Sequence, residues 1–202
     1  MKIDKFCKEA YKQTLSKLSE NPNYDKGKGR SLIQDDTHYA YNLDGITKRV
    51  CEELRLHQRV ASCDAYLPPK KEKKGKLVGC SAYLNANETH WFIEFRDEAA
   101  VDIDEQDIWK KAYDSVSTVR MAIDQTITLD DLCQNSDFLV VYQDEEPKTE
   151  DAVEKGTAGL AEMEHIRWGL RKIVGKLYRK VHTIPATEFR QKWIPRIWGG
   201  EI

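Results

Sequence analysis

The clearest pattern of apolar positions in the chain lies within residues 104–125. Successive apolar residues follow at intervals of three or four, which places them on one side of an α-helix, at Ile108, Ala112, Val116, Val119 and Ile123. Asp102 and Asp104 are candidate N-cap residues, and an acidic first turn suits the positive end of a helix dipole. The pattern predicts an amphipathic helix over 104–125.

Three short apolar runs with the composition of β-strands come before this helix. They cover residues 59–67, 76–84 and 90–96, and the turn residues between them predict an antiparallel meander. A fourth run, over residues 137–142, is continuously apolar from its second position, as is typical of a strand buried on both faces. Because this run follows a long helix, we expect a crossover connection and parallel pairing.

Weaker periodicity predicts further helices over 1–20, 44–58, 158–180 and 187–193, and the acidic segment 143–157 has the composition of a loop. The core order α-β-β-β-α-β predicts an α/β (α+β) fold with a small mixed sheet of about four strands. An N-terminal helix and a long C-terminal helix flank this sheet. We expect a single domain over 1–202, made of an N-terminal helix and loop (1–43), a core (44–142), and an acidic loop with a basic C-terminal helix (143–202).

Composition and charge exclude several classes of protein. The 202 residues are 40% hydrophobic, which is sufficient for a core, and the net charge of −2 provides no overall basic field for nucleic acid. No apolar run approaches the roughly 18 residues of a membrane span. The five cysteines form no C-x-x-C pair, and the chain starts without a signal peptide. We therefore expect reduced thiols in a cytoplasmic protein.

Candidate chemistry lies within the predicted meander. Asp64 and Glu94 are acidic residues in otherwise apolar strands, and Arg96 lies two positions after Glu94. Since side chains alternate along a strand, Glu94 and Arg96 share one face of the sheet. Two carboxylates and a cation on one face form a candidate metal and phosphate site. The alternative is structural, with Asp64 as the last polar residue before a strand and Glu94 and Arg96 as a solvated ion pair.

This order of elements, with Asp64 and Glu94-Phe95-Arg96 on consecutive strands, resembles the PD-(D/E)xK restriction-endonuclease-like superfamily over about residues 44–142. The resemblance implies that Asp64 and Glu94 bind Mg²⁺ or Mn²⁺ and that an acidic residue of the preceding helix assists. Here that residue is Glu53, with Glu52 as the alternative. The chain is also similar to a group of uncharacterised Firmicutes proteins in the segments 62–65, 91–96, 138–142 and 180–183.

Arg96 departs from the superfamily motif, which has a lysine at this position. The superfamily lysine is thought to orient or polarise the attacking water. Arginine keeps its proton at neutral pH and holds phosphate oxygens bidentately. Arg96 therefore suits stabilisation of a charged transition state but not proton transfer. Arginine at this position makes hydrolysis less expected but is compatible with phosphate binding.

Two basic segments are candidates for contact with a phosphate backbone. They are the lysine-rich turn after Pro68 and Pro69 and the predicted C-terminal helix, and their candidate residues are Lys70, Lys71, Lys73, Lys74, Arg167 and Arg171. The alternative for the turn is a solvated hairpin tip whose lysines prevent edge-to-edge pairing of strands.

Three functions remain open from the sequence. The leading hypothesis is a metal-dependent nuclease that acts on phosphodiesters through Asp64, Glu94 and Arg96. The second is a nuclease-like fold without catalysis that binds a protein partner, in phage defence or toxin immunity. Trp193 and Trp198 then mark a candidate contact near the C-terminus, and the acidic segment 143–154 mimics nucleic acid. The third is a domain whose carboxylates make structural contacts only.

Overall fold

The computed structural model describes residues 9–21, 30–57, 60–69, 72–73, 76–77, 89–144 and 166–199 of the chain. The strands are β1 (Lys12–Thr14), β2 (Glu20–Asn21), β3 (Arg30–Ser31), β4 (Tyr39–Asn42), β5 (Ala65–Leu67), β6 (Glu72–Lys73), β7 (Lys76–Leu77), β8 (His90–Arg96), β9 (Ser136–Tyr142) and β10 (Lys180–Pro185). The α-helices are α1 (Leu15–Leu18), α2 (Leu43–Glu53), α3 (Glu105–Thr118), α4 (Leu129–Asn135), α5 (Ala186–Glu188) and α6 (Ile194–Trp198). The 3₁₀ turns are Glu9–Tyr11 and Leu170–Ile173, and the π turns are Val119–Ile123 and Phe189–Trp193.

Six strands form one mixed sheet in the order β1-β4-β5-β8-β9-β10. Within this sheet β1, β4, β5 and β8 pair antiparallel in that order, whereas β8, β9 and β10 pair parallel. The α3 helix lies between β8 and β9 in the chain, which gives the predicted crossover to a parallel strand. The predicted α/β class is confirmed, but the sheet has six strands and not the predicted four.

The predicted meander is observed only in part. β5 pairs directly with β8, with Ala65 opposite Ile93. β7 covers the described part of the predicted strand 76–84, and it pairs with β6 in a separate two-stranded sheet. Residues 78–84 lie outside the described part of the chain. The two strands that carry Asp64 and Glu94 are therefore immediate neighbours.

Helical segments cover both faces of the main sheet. On one face the ring of Tyr178 packs against Phe92, and its hydroxyl donates to the Ala112 carbonyl of α3 at 2.7 Å. On the other face Trp91 contacts Trp193 at a ring separation of 6.0 Å, in the segment that follows β10. Every residue of β9 is buried, as its apolar composition predicts. The sheet is thus the middle layer of three, and Glu94 lies on the α3 face by strand alternation.

The predicted long C-terminal helix is wrong for residues 166–180, the part of 158–180 that the structure describes. Trp168, Gly169 and Gly175 have φ angles of 53°, 62° and 68°, which no right-handed helix contains. The chain forms a 3₁₀ turn at Leu170–Ile173 and then enters β10. The helical spacing of Leu170 and Ile173 is accommodated by the single 3₁₀ turn, which buries both side chains.

The predicted N-terminal helix over 1–20 is also wrong for most of its described part. A 3₁₀ turn is followed by β1, by the four-residue α1 and by β2. The reason is tertiary, since β1 pairs with β4 and places Gln13 opposite Ala40. Residues 1–8 lie outside the described part.

The other predicted helices agree with the structure. α2 falls within the predicted range 44–58 apart from its first residue, α3 and its π turn cover 105–123, and residues 187–193 are helical. In the described part of the chain, no helix has both the length and the apolar character to cross a membrane.

Candidate functional site

Asp64 and Glu94 are brought together by the antiparallel pairing of β5 and β8. Asp64 directly precedes β5, and Ala65 lies opposite Ile93, so the next positions along the two strands are Asp64 and Glu94. Oδ2 of Asp64 accepts a hydrogen bond from the backbone N–H of Phe95 at 2.7 Å. This bond fixes one carboxylate oxygen of Asp64 and leaves Oδ1 for other contacts.

Lys111 enters the same site from α3. Its Nζ donates to Oε1 of Glu94 at 2.7 Å and lies 4.0 Å from Oδ1 of Asp64. The helix is held beside the start of β5, because the backbone N–H of Cys63 donates to Oγ of Ser115 at 2.8 Å. One amino group therefore faces both carboxylates.

Arg96 is held from two sides. Its Nε lies 2.8 Å from Oε1 of Glu94, which shows that both side chains lie on one face as the alternation predicts. Its Nη2 donates to Oδ2 of Asp107 in the first turns of α3. The guanidinium group thus joins β8 to α3 through Asp107, and its Nε lies beside Glu94 without an aligned hydrogen bond to it.

The pKa values of the site reflect burial and the pairing of opposite charges. Burial and the nearby charge of Asp64 raise the pKa of Glu94 to about 8, although Lys111 and Arg96 oppose the shift. Burial also raises the pKa of Asp64. Burial alone would lower the pKa of Lys111, but the charges of Glu94 and Asp64 outweigh it and raise that pKa. Lys111 consequently stays protonated at neutral pH.

These residues line a cavity of about 320 Å³. Its wall consists of Leu18, Ser19, Glu20, Asn21, Asp64, Glu94, Phe95, Arg96, Asp97, Glu98 and Lys111. Oε2 of Glu94 and both carboxylate oxygens of Asp97 are inaccessible to solvent and have no hydrogen-bond partner among the described residues. A buried carboxylate oxygen without a partner is costly, so this cavity suits a ligand that supplies positive charge.

The other predicted site residues lie elsewhere. Glu53 lies in the last turn of α2, where Oε1 accepts a hydrogen bond from Arg49 at 3.1 Å, and it does not line the cavity. Arg167 lies over the ring of Tyr142 at 5.2 Å, and Arg171 is exposed on a 3₁₀ turn. Of the lysine-rich turn, only the backbone of Lys73 in β6 is described, and Lys70, Lys71 and Lys74 lie outside the described residues.

Sequence reasoning missed Lys111 and Asp107. The helical spacing could have pointed to Lys111. It follows Ile108 by three residues and precedes Ser115 by four, so it lies on the flank of the buried helix face. A lysine at such a position requires an acidic partner from the sheet when the helix packs on it. The pattern alone does not say which strand supplies that partner.

Comparison with known proteins gives no relatives: no family model matches the chain, and no curated protein or solved structure shows significant similarity to it.

The cavity holds two neighbouring carboxylates of the chemical type that binds Mg²⁺ or Mn²⁺. Asp64 and Glu94 offer hard carboxylate oxygens, Oε2 of Glu94 is unpaired among the described residues, and the Lys111 amino group already shows that a cation fits between them. In the described part of the chain, no group of three or more His, Cys, Asp or Glu side chains is arranged to hold a metal. Such an ion would take its remaining ligands from water and substrate, as Mg²⁺ commonly does.

Proposed function

We propose that this protein is a metal-dependent nuclease that hydrolyses phosphodiesters in the cavity around Asp64, Glu94 and Lys111. The observation that carries the proposal is the position of the Lys111 amino group, 2.7 Å from Glu94 and 4.0 Å from Asp64. Two carboxylates and a lysine are the three side chains of the PD-(D/E)xK motif. The lysine that Arg96 replaces in the strand is thus supplied by α3.

The topology supports the same proposal. Asp64 directly precedes β5, Glu94 lies on the neighbouring antiparallel strand β8, and β8 leads through α3 into the parallel strand β9. This part of the topology agrees with the order of elements that the resemblance implies for residues 44–142, although β6 and β7 form a separate sheet. The additional strands β1, β4 and β10 extend that core on both sides.

Each side chain then has a separate role. Asp64 and Glu94 would hold a Mg²⁺ or Mn²⁺ ion, which supplies charge neutralisation and polarisation of a phosphate oxygen when bound. Lys111 stays protonated and donates hydrogen bonds to the negative charge that develops on the phosphate. Arg96 orients Glu94 and α3 through its two carboxylate contacts. We assign Arg96 a positioning role in place of the transition-state role expected from the sequence.

A second candidate is supported by the same contacts. Lys111 and Arg96 are both paired with carboxylates in the described structure, which suits a stable core in a protein-binding module without catalysis. In both cases we propose a cytoplasmic protein. The described cysteines Cys51, Cys63 and Cys133 carry free thiols, in line with a reducing compartment.

The two candidates differ in metal binding and in hydrolysis. We expect Mn²⁺ and Mg²⁺ to bind the wild type in isothermal titration and to show no binding to the D64A/E94A double variant. We also expect metal-dependent cleavage of single- or double-stranded DNA or RNA, which D64A abolishes and K110M, a change at an exposed neighbouring lysine, leaves intact. A folded wild type that binds no metal at millimolar concentration and cleaves none of these substrates would overturn the nuclease proposal in favour of the binding module.

A further inference from the structure

We propose that the amino group of Lys111 and a divalent metal ion compete for one cation position between Asp64 and Glu94. Without metal, the amino group of Lys111 occupies the position that faces both carboxyl groups. Metal binding displaces the amino group into the cavity, where it meets the substrate phosphate. The inference rests on the proposed function, because it concerns the same metal site, and it adds the order of events.

Distance gives the first reason for competition. Nζ of Lys111 is in direct contact with Oε1 of Glu94 at 2.7 Å and faces Oδ1 of Asp64 at 4.0 Å. A Mg²⁺ ion binds carboxylate oxygens at about 2.1 Å, so an ion on these oxygens would lie within roughly 5 Å of the amino group. Like charges at that separation in a mostly buried site repel strongly. Simultaneous binding of the ion and the amino group at these two carboxylates is therefore unfavourable.

The choice of the displaced group follows from how each cation is held. Arg96 contacts Glu94 within its own strand and Asp107 in α3, so its displacement would remove a contact between β8 and α3. Lys111 has a flexible four-carbon stem and both of its carboxylate contacts lie at the cavity. The side chain of Lys111 is also 19% exposed, which leaves a path toward the cavity. We therefore expect the metal ion to displace Lys111 and not Arg96.

Charge around the cavity explains why displacement favours a phosphate. The described lining residues include five carboxylates and two cations, namely Glu20, Asp64, Glu94, Asp97 and Glu98 against Arg96 and Lys111. Glu20 is in addition paired with Lys17. A phosphate that entered this cavity without metal would meet excess negative charge. A bound ion reduces that charge and frees the amino group, so metal is expected to bind before the phosphate.

The test compares Mn²⁺ binding to wild type, K111M and K110M by isothermal titration, with folding checked by circular dichroism. Competition predicts that K111M binds Mn²⁺ at least about tenfold more tightly than wild type, because the competing cation is gone. K110M changes the adjacent exposed lysine and is expected to match wild type. The triple variant D64A/E94A/K111M is expected to show no binding.

A second measurement keeps the test valid if K111M folds poorly. Acetylation of Lys111 in the wild-type protein is followed by mass spectrometry with and without Mg²⁺, with Lys110 as the internal reference. Displacement predicts severalfold faster acetylation of Lys111 with Mg²⁺ and an unchanged rate at Lys110.

The outcomes separate this inference from the proposed function. Metal binding that is equal or weaker in K111M, or unchanged Lys111 acetylation while metal binds, overturns the competition and leaves the nuclease proposal standing. Tighter binding in K111M without cleavage of any nucleic acid supports the competition and overturns the nuclease. Absence of binding in both folded proteins overturns both.

Discussion

The amino group of Lys111 lies 2.7 Å from Oε1 of Glu94, although the two residues are 17 positions apart and belong to a helix and a strand. Their side chains are 19% and 1% exposed, so this is a mostly buried ion pair. When one partner of such a pair is removed, the other charge is left without compensation. The contact therefore links α3 to β8 and contributes to the charge of the cavity.

The first prediction follows from this pair. K111M is expected to lower the free energy of unfolding by about 2–4 kcal/mol at pH 8 in the presence of EDTA. The loss is expected to be smaller at pH 5, because Glu94 then binds a proton and no longer needs the cation. Urea unfolding at the two pH values measures both quantities. K110M is the matched control and is expected to change stability by less than about 0.5 kcal/mol; equal losses in the two variants would show that the pair is not buried in solution.

The second prediction concerns the pH dependence of stability. The pKa of Glu94 is raised to about 8 from its ordinary value of 4.5 by burial and by Asp64. Between these values the folded protein retains a proton that the unfolded chain has released, so stability falls as the pH rises through this window. E94Q cannot titrate. We therefore expect the free energy of unfolding of E94Q, minus that of wild type, to increase by at least about 1 kcal/mol between pH 5 and pH 8.

Urea titrations at intervals of one pH unit, with EDTA present, test this dependence. R171Q alters an exposed cation outside the cavity and is expected to keep the wild-type pH profile. A constant difference between E94Q and wild type over the whole range would contradict the raised pKa of Glu94.

The sequence predicts the strand part of the candidate site and misses the helix part. Alternation along β8 is a local property, so it places Glu94 and Arg96 on one face without knowledge of the fold. The direct pairing of β5 with β8 does not follow from chain order, because the predicted meander has the strand 76–84 between them, whereas β7 pairs with β6 in a separate sheet. The position of Lys111 depends on how α3 rotates over the sheet, which contacts such as that of Cys63 with Ser115 determine. No spacing in the sequence specifies those contacts.

The third prediction concerns Asp137, a buried carboxylate at the opposite end of the parallel strands. Arg179 donates to both of its oxygens, at 2.9 and 3.0 Å. Burial would raise the pKa of Asp137, but the nearby His182 ring, 3.8 Å away, and the hydrogen bonds from Arg179 outweigh it, and the pKa is lowered. Its contribution to stability is therefore present above its unfolded pKa of about 3.9 and is lost as the pH falls through the lower folded value.

We expect D137N to cost about 1–2 kcal/mol at pH 7, in the lower part of the range for buried partners because Arg179 is partly exposed. The difference from wild type is expected to shrink as the pH is lowered from 5 to 3. Urea unfolding across that range measures it. A difference that stays constant down to pH 3 would show that the lost stability comes from packing and not from the charge of Asp137.

The C-terminal region shows why periodicity alone fails. Residues 166–180 carry apolar side chains at helical intervals, yet Gly169 and Gly175 have left-handed φ angles and β10 begins at Lys180. Parallel pairing of β10 with β9 buries Val181 and His182 in the sheet, which a local pattern does not anticipate. The left-handed glycines and the 3₁₀ turn bring the chain into position for this pairing, and that tertiary requirement overrides the local helical preference of the segment.

The last prediction distinguishes the observed turn from the predicted helix, because glycine-to-alanine changes destabilise the turn but would stabilise a helix. In a helix, replacing glycine with alanine stabilises by roughly 1 kcal/mol. At Gly169 and Gly175 the φ angles are 62° and 68°, where alanine is strained, so G169A and G175A are expected to destabilise by about 1 kcal/mol each. An added Cβ at Gly175 has no neighbour within 4 Å, so that variant reports backbone strain alone.

At Gly169 the added Cβ would lie 3.1 Å from Oε1 of Glu105, which is the movable end of a long side chain. G169A is therefore expected to cost only a few tenths of a kcal/mol more than G175A, and combining it with E105A is expected to remove that excess. Thermal or urea unfolding of the three variants measures these differences. Stabilisation by either single alanine would show that the segment around that glycine is helical in solution.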